Sequence, residues 1–159
     1  MKQKLFVIAL IIMICSLAGC GTETRAEQSA FKTAFSLGSI VEANQQLLLP
    51  GPRASSGSEA GPTEPFTQAS EMMTVQIEPT GVLAFMEAVQ AGIQESLVGS
   101  GAELLGGGGS ASLDPTGTLS DPVHFSFSYR EDDLFGSINV WGVPGAGSTL
   151  SLIVTIVES

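Results

Sequence analysis

Apolar residues recur at steps of three and four from Val82 through Phe85, Met86, Val89 and Ile93 to Leu97, while Glu87, Gln90, Gln94 and Glu95 occupy other angles. That spacing predicts one amphipathic helix over about 80–98, with Gly99 and Gly101 where a C-terminal cap falls. Elsewhere the period is two. Val75 and Ile77 alternate with Gln76 and Glu78 in "MTVQIE", and Val123, Phe125, Phe127 and Tyr129 alternate with His124, Ser126, Ser128 and Arg130. Two more strands are predicted over 134–143 and 148–158. The turns before them are "EDD" (131–133) and "PGAG" (144–147), where proline fixes φ and glycine permits φ > 0. In the 148–158 strand, Leu150, Leu152, Val154 and Ile156 lie on one face and Ile153 and Val157 on the other. A strand apolar on both sides is central or covered twice. The expected fold is therefore α+β: an antiparallel β-meander with one amphipathic helix packed on it, in the order β-α-β-β-β, over residues 72–159.

The chain ahead of this domain has a different pattern. From Pro50 to Ala69 it reads "PGPRASSGSEAGPTEPFTQA", with Phe66 as its one large apolar residue. Such a stretch buries too little surface to offset the entropy of ordering, which predicts a flexible linker over 50–71. Within 20–49, Phe31, Ala34, Phe35, Gly38 and Val41 fall at helical spacing, so a helix is expected in an otherwise flexible N-terminal tether. After the main helix, Ala102–Leu105 is expected to add a turn, and glycines 106–109 a flexible connection.

The two faces of the sheet pose a separate problem. If Phe125, Phe127, Ile138, Val140, Leu152 and Val154 pack on the helix, alternation sends Trp141, Val143, Ile153 and Val157 to the opposite face. One helix cannot cover both sides. The expectation is that residues 26–49 fold back over this second face with Phe31, Phe35 and Val41, because bare apolar patches are rare. The alternative is an open partner-binding face anchored by Trp141, tryptophan being enriched among binding hot spots.

The first residues add a location. Lys2 and Lys4 precede an unbroken apolar run, Leu5–Ile14, too short to span a membrane and suited to a secretory signal. Leu17-Ala18-Gly19-Cys20 follows. This resembles the lipobox of bacterial lipoproteins, and the resemblance covers only about the first 20 residues. It implies cleavage of a signal peptide, 1–19, and attachment of a diacylglyceryl group and acyl chains such as palmitate to Cys20. It also implies a membrane anchor on the extracytoplasmic face; a cleaved secretion signal or an uncleaved anchor is the alternative. Two or three acyl chains hold a membrane stably where one does not. Gly21 rather than aspartate after the anchor cysteine resembles the pattern of lipoproteins sent to the outer membrane in Gram-negative cells. With Cys20 acylated and Cys15 removed, no disulfide forms within the chain.

Processing sharpens the charge. The leader takes Lys2 and Lys4 of the six basic residues and none of the sixteen acidic ones, so Arg25, Lys32, Arg53 and Arg130 remain and the net charge becomes −12. Phosphate backbones and anionic lipid repel such a surface, so no nucleic-acid partner is expected and membrane attachment rests on the lipid. Recognisable catalytic motifs are missing. No serine has glycine two residues to either side, and the glycine run 106–109 is followed by Ser110-Ala111 rather than Lys-Ser/Thr, which removes a P-loop.

His124, the single histidine, cannot build a multi-histidine zinc site. As a general base it would need Asp121 or Glu131 beside it, and its polar-face position reads instead as a solvated imidazole. Glu131-Asp132-Asp133 reads as a charged turn before it reads as a calcium site, and no EF-hand spacing occurs. No cofactor, metal or catalytic residue is therefore expected. Three function classes remain: a lipid-anchored binding or interaction module at the cell envelope, with an envelope protein or a second copy as partner; a structural subunit of an envelope complex; and a small hydrolase with an unrecognised site. The first is the expectation.

Overall fold

The computed structural model describes residues 28–63, 66–114, 118–119 and 121–159. Six strands form one antiparallel sheet: β1 (Ala54–Thr63), β2 (Phe66–Gln76), β3 (Glu103–Ser110), β4 (Val123–Glu131), β5 (Leu134–Gly145) and β6 (Thr149–Glu158), in the spatial order β1-β2-β6-β5-β4-β3. Among the described residues three α-helices accompany it: α1 (Ala30–Ala34), α2 (Leu37–Ala43) and α3 (Val82–Ser100). The α+β class and the antiparallel sheet with a helix packed on it stand as expected, with two more strands and one more helix than the periodicity predicts.

Alternation builds the core. Val123, Phe125, Phe127 and Tyr129 of β4, Ile138 and Val140 of β5, and Leu150, Leu152, Val154 and Ile156 of β6 all face inward and are buried. Against them lies the predicted stripe of α3, with Val82, Phe85, Met86, Val89, Ile93 and Leu97 buried. The antiparallel order makes β2 and β3 point the same way, so α3 runs back between them. Its 19 residues span about 28 Å, enough to cross the four strand spacings, roughly 19 Å, from β2 to β3. Gly101, at φ 88°, ends the helix, and its N–H donates to Val98 O while Ala102 N–H donates to Leu97 O. That pair of bonds is a Schellman cap built on Gly101, whereas Gly99 lies within the last turn of the helix.

The stretch expected as a linker, 50–71, instead holds β1 and the first half of β2. β1 pairs with β2 from Ala54↔Thr74 to Thr63↔Phe66, and β2 pairs with β6 from Thr67↔Glu158 to Gln76↔Thr149. The Ser/Gly composition is compatible with this because an edge strand is held by main-chain bonds, whatever its side chains bury. Pro62 falls in the register shift between Ala60 and Thr63, where an edge strand tolerates a missing N–H. β3 corrects a second expectation: Ala102–Leu105 adds no helical turn, and glycines 106–109 are an edge strand paired with β4. A Cβ on Gly107 would lie 2.6 Å from the Phe127 ring, and one on Gly109 2.7 Å from Phe125 Cβ. Glycine is needed there so that the neighbouring phenylalanines can spread against the edge strand.

The N-terminal segment is the third correction. Residues 29–49 do not cover the outer face of the sheet; Phe31, Leu37, Ile40 and Val41 are buried in the same core as α3. The single expected helix is two, because Ser29 and Ser36 each act as an N-cap, accepting from Lys32 N–H and Ser39 N–H. Phe35 between them is extended. Carboxylates from the sheet then take up main-chain N–H groups of the segment. Glu71 of β2 accepts from Leu37, Glu131 of β4 from Ala30 and Phe31, and Glu158 of β6 from Ser29. All the described helices thus lie on one side of the sheet.

Candidate interaction face and buried carboxylate

With the helices on one side, the other side of the sheet is bare among the described residues. Register lines up an apolar row across it: Met72↔Ile153, Ile153↔Trp141 and Trp141↔His124. The His124 and Trp141 rings lie 4.1 Å apart between centroids and tilt by 32°. Met72 and Trp141 are 44% and 43% exposed, large values for side chains in the middle of a sheet. Hydroxyl rows border the apolar one. Thr74 and Ser151 stand 3.4 Å apart on one flank, and Ser70 and Thr155 3.3 Å apart on the other.

The four residues expected on this face separate into a group and an outlier. Trp141 and Ile153 are cross-strand partners, and Val143 lies two residues along β5 opposite Ser151. Val157 pairs with Ser137 and Gln68, beyond the Thr155–Asn139 row, and does not join the cluster. Met72 and His124 were missed. The alternation of Val75 and Ile77, continued upstream, assigns Met72 to the outer face, so its signal was present at the first position of the expected domain. The partnership of His124 with Trp141 depends on register, which alternation alone does not give. Cys20 and the leader lie outside the described residues.

A second cluster sits under the helices, where sequence reasoning placed nothing. Glu158 Oε1 accepts from the hydroxyls of Ser29 and Tyr129, the latter at 2.6 Å, and Oε2 accepts from Ser29 N–H at 3.4 Å and Thr67 Oγ1 at 3.5 Å. Lys32 Nζ stands 3.8 Å from Oε2 and makes no hydrogen bond. Both charged side chains are buried, at 2% and 1% exposure. Tyr129 is raised well above the usual phenol range, first by burial and then by donating to the Glu158 carboxylate. Alternation carries Glu158 inward after Leu150, Leu152, Val154 and Ile156, so its burial could have been read from the sequence.

Serine, lysine and tyrosine together are the ingredients of an activated nucleophile, but this arrangement does not activate one. The Ser29 hydroxyl donates to a carboxylate, accepts a helix N–H, and is sealed at 2% exposure. A nucleophile needs a base within reach and access to substrate. The cluster docks the segment.

The other candidates are placed as follows. His124 faces outward from one end of β4, and Glu131 faces the helices from the other, seven residues or about 24 Å away. They form no acid–base pair. Glu131 is engaged with Ala30 and Phe31 N–H, and no group of three or more His, Cys, Asp or Glu among the described residues is arranged to hold a metal ion. Among the same residues no helix is long and apolar enough to cross a membrane. The sequence matches no known protein-family model and no curated protein.

Proposed function

We propose that this chain is a lipid-anchored module of the bacterial cell envelope that binds a partner through the bare face of its sheet, and that it is not an enzyme. One observation carries the reading. The Met72–Ile153–Trp141–His124 row is left uncovered because the segment expected to shield it packs on the other side. An exposed apolar row bordered by hydroxyls suits a protein interface, with tryptophan as the central anchor. Cys20 supplies the membrane attachment, and the net charge of −12 after processing disfavours nucleic acid as partner.

Two measurements test the two halves. Metabolic labelling with a fatty-acid probe marks the wild-type chain and fails to mark Cys20→Ser; labelling of the variant overturns the anchor. A photo-crosslinking residue at position 153 is expected to trap a defined envelope partner or a second copy, whereas one at position 91, on the exposed face of α3, traps neither. Trp141→Ala should abolish the product at 153. Equal products at 153 and 91, or a product indifferent to Trp141→Ala, overturn the binding face.

A further inference from the structure

Of nine exposed large hydrophobic side chains among the described residues, five gather at one end of the sheet. Phe66 opens β2, Phe135 opens β5, Leu104 and Leu105 open β3, and Val98 lies in the last turn of the helix that leads into β3. The register confirms that these positions share an end: Glu103 faces Arg130, Arg130 faces Phe135, and Phe135 exchanges main-chain bonds with Ser159, the residue after β6. The row immediately inside this rim is Thr67, Glu158, Gly136, Tyr129 and Leu104, the last at the inner margin of the apolar group. Glu158 in that row holds Ser29. The rim is therefore where the described chain leads back toward residue 20.

We infer that this rim rests on the bilayer itself, as a second membrane contact beside the acyl chains of Cys20. The inference depends on the lipidation of Cys20 proposed above. Its argument is reach. Nine residue steps separate Cys20 from Ser29, at most about 30 Å of fully extended chain, so an acylated Cys20 keeps the rim within a short distance of the lipid surface. Phenylalanine, leucine and valine at such a distance bury apolar area in the interface for little further loss of freedom. The charges choose the lipid. Asp132 and Asp133 are exposed in the β4–β5 turn beside the rim, and the nearby Arg130 is paired with Glu103. A zwitterionic surface is accepted and an anionic one repels. Trp141 lies six residues along β5 from Phe135, about 20 Å from the rim, so docking leaves the partner-binding face in water.

The test uses the full, acylated chain in phosphatidylcholine vesicles whose acyl chains carry bromine, which quenches nearby tryptophan. Phe135→Trp and Val98→Trp are each placed in a Trp141→Phe background, and the wild type reports from Trp141. Both sites are exposed, so the fold tolerates the reporters. Loss of emission is expected for Phe135→Trp and Val98→Trp and not for the wild type, and it should weaken as anionic lipid replaces phosphatidylcholine. Co-flotation with the vesicles reads the anchor separately. A chain that fails to float overturns the lipidation and this inference with it. One that floats while both rim reporters stay bright overturns the docking alone, as does quenching of Trp141 in place of the rim.

Discussion

At the scale of single residues, the decisive group is Glu158. Its carboxylate takes four hydrogen bonds from Ser29, Tyr129 and Thr67, while Lys32 offers charge and no bond. Removing one member of a buried ion pair costs about 3–5 kcal/mol when it strands the other, and the two members are not equivalent here. Glu158→Gln strands a buried ammonium that makes no hydrogen bond and disturbs four donors. Lys32→Met leaves the carboxylate with all four. Chemical denaturation should therefore show Glu158→Gln losing clearly more stability than Lys32→Met; equal losses would mean that charge rather than hydrogen bonding governs the site. Tyr129 adds a pH dependence. An unfolded tyrosine ionises near 10, whereas burial and the bond to Glu158 keep the folded phenol protonated well above that. Above about pH 10 the unfolded state has released a proton that the folded state retains, so stability falls as pH rises, by up to about 1.4 kcal/mol per unit. Tyr129→Phe should flatten that alkaline limb while lowering stability at neutral pH by about 1–3 kcal/mol, the usual loss for a buried hydrogen bond. Tyr129 is the only tyrosine, so tyrosinate absorbance should appear only as the protein unfolds.

Elements were legible where side chains bury in a regular period. The α3 stripe, its glycine cap and the alternation of β4, β5 and β6 are all dictated by burial against one another, and each could be read from the sequence. β1 and β3 were not, because an edge strand of serine or glycine is stabilised by a neighbour's main chain and leaves no apolar signature. The N-terminal segment was half legible: its buried positions Phe31 and Val41 were identified, but not the side of the sheet they cover. That choice is made by Glu71, Glu131 and Glu158, acids that in sequence resemble turn or strand-end charges. The candidate face was legible in Trp141, Val143 and Ile153 and not in Met72, which fell at the edge of the supposed linker. The glycine strand offers a test at this scale. A methyl at Gly107 meets the Phe127 ring, whereas one at Gly108 meets nothing within 4 Å. Gly107→Ala should destabilise by about 1–3 kcal/mol, the range for overpacking. Gly108→Ala should stabilise by about 0.4–1 kcal/mol by restricting the unfolded chain. Thermal melts that rank the two the other way would show that β3 sits in a different register.

At the scale of the molecule, the composition suggests a small domain on a long leash, whereas the packing puts the N-terminal segment, the main helix and the inner face of the sheet in one core. The difference has a direct consequence for proteolysis. Arg53 is exposed just before β1, while Lys32 is buried and Arg130 lies within a paired strand, so trypsin acting on the native protein should cut first after Arg53 among these three. Were 50–71 a leash, that cut would free the N-terminal segment from a stable remainder. In this fold the segment stays. Phe31, Leu37, Ile40 and Val41 sit in the core, three carboxylates hold its helix N–H groups, and Leu49 N–H donates to Gln76 O at 2.9 Å. Burying four such side chains contributes several kcal/mol, roughly 1.5–3 each, before the charged hydrogen bonds are counted. The nicked protein should therefore elute as one species in size exclusion and separate only in denaturant. Combining the nick with Glu158→Gln should loosen the association measurably. Free dissociation of the nicked wild type under native conditions would show that the segment is not part of the core. The same retention matters for function. With Ser29 docked through Glu158, the anchor proposed at Cys20 would act on the sheet itself rather than on a loose tether.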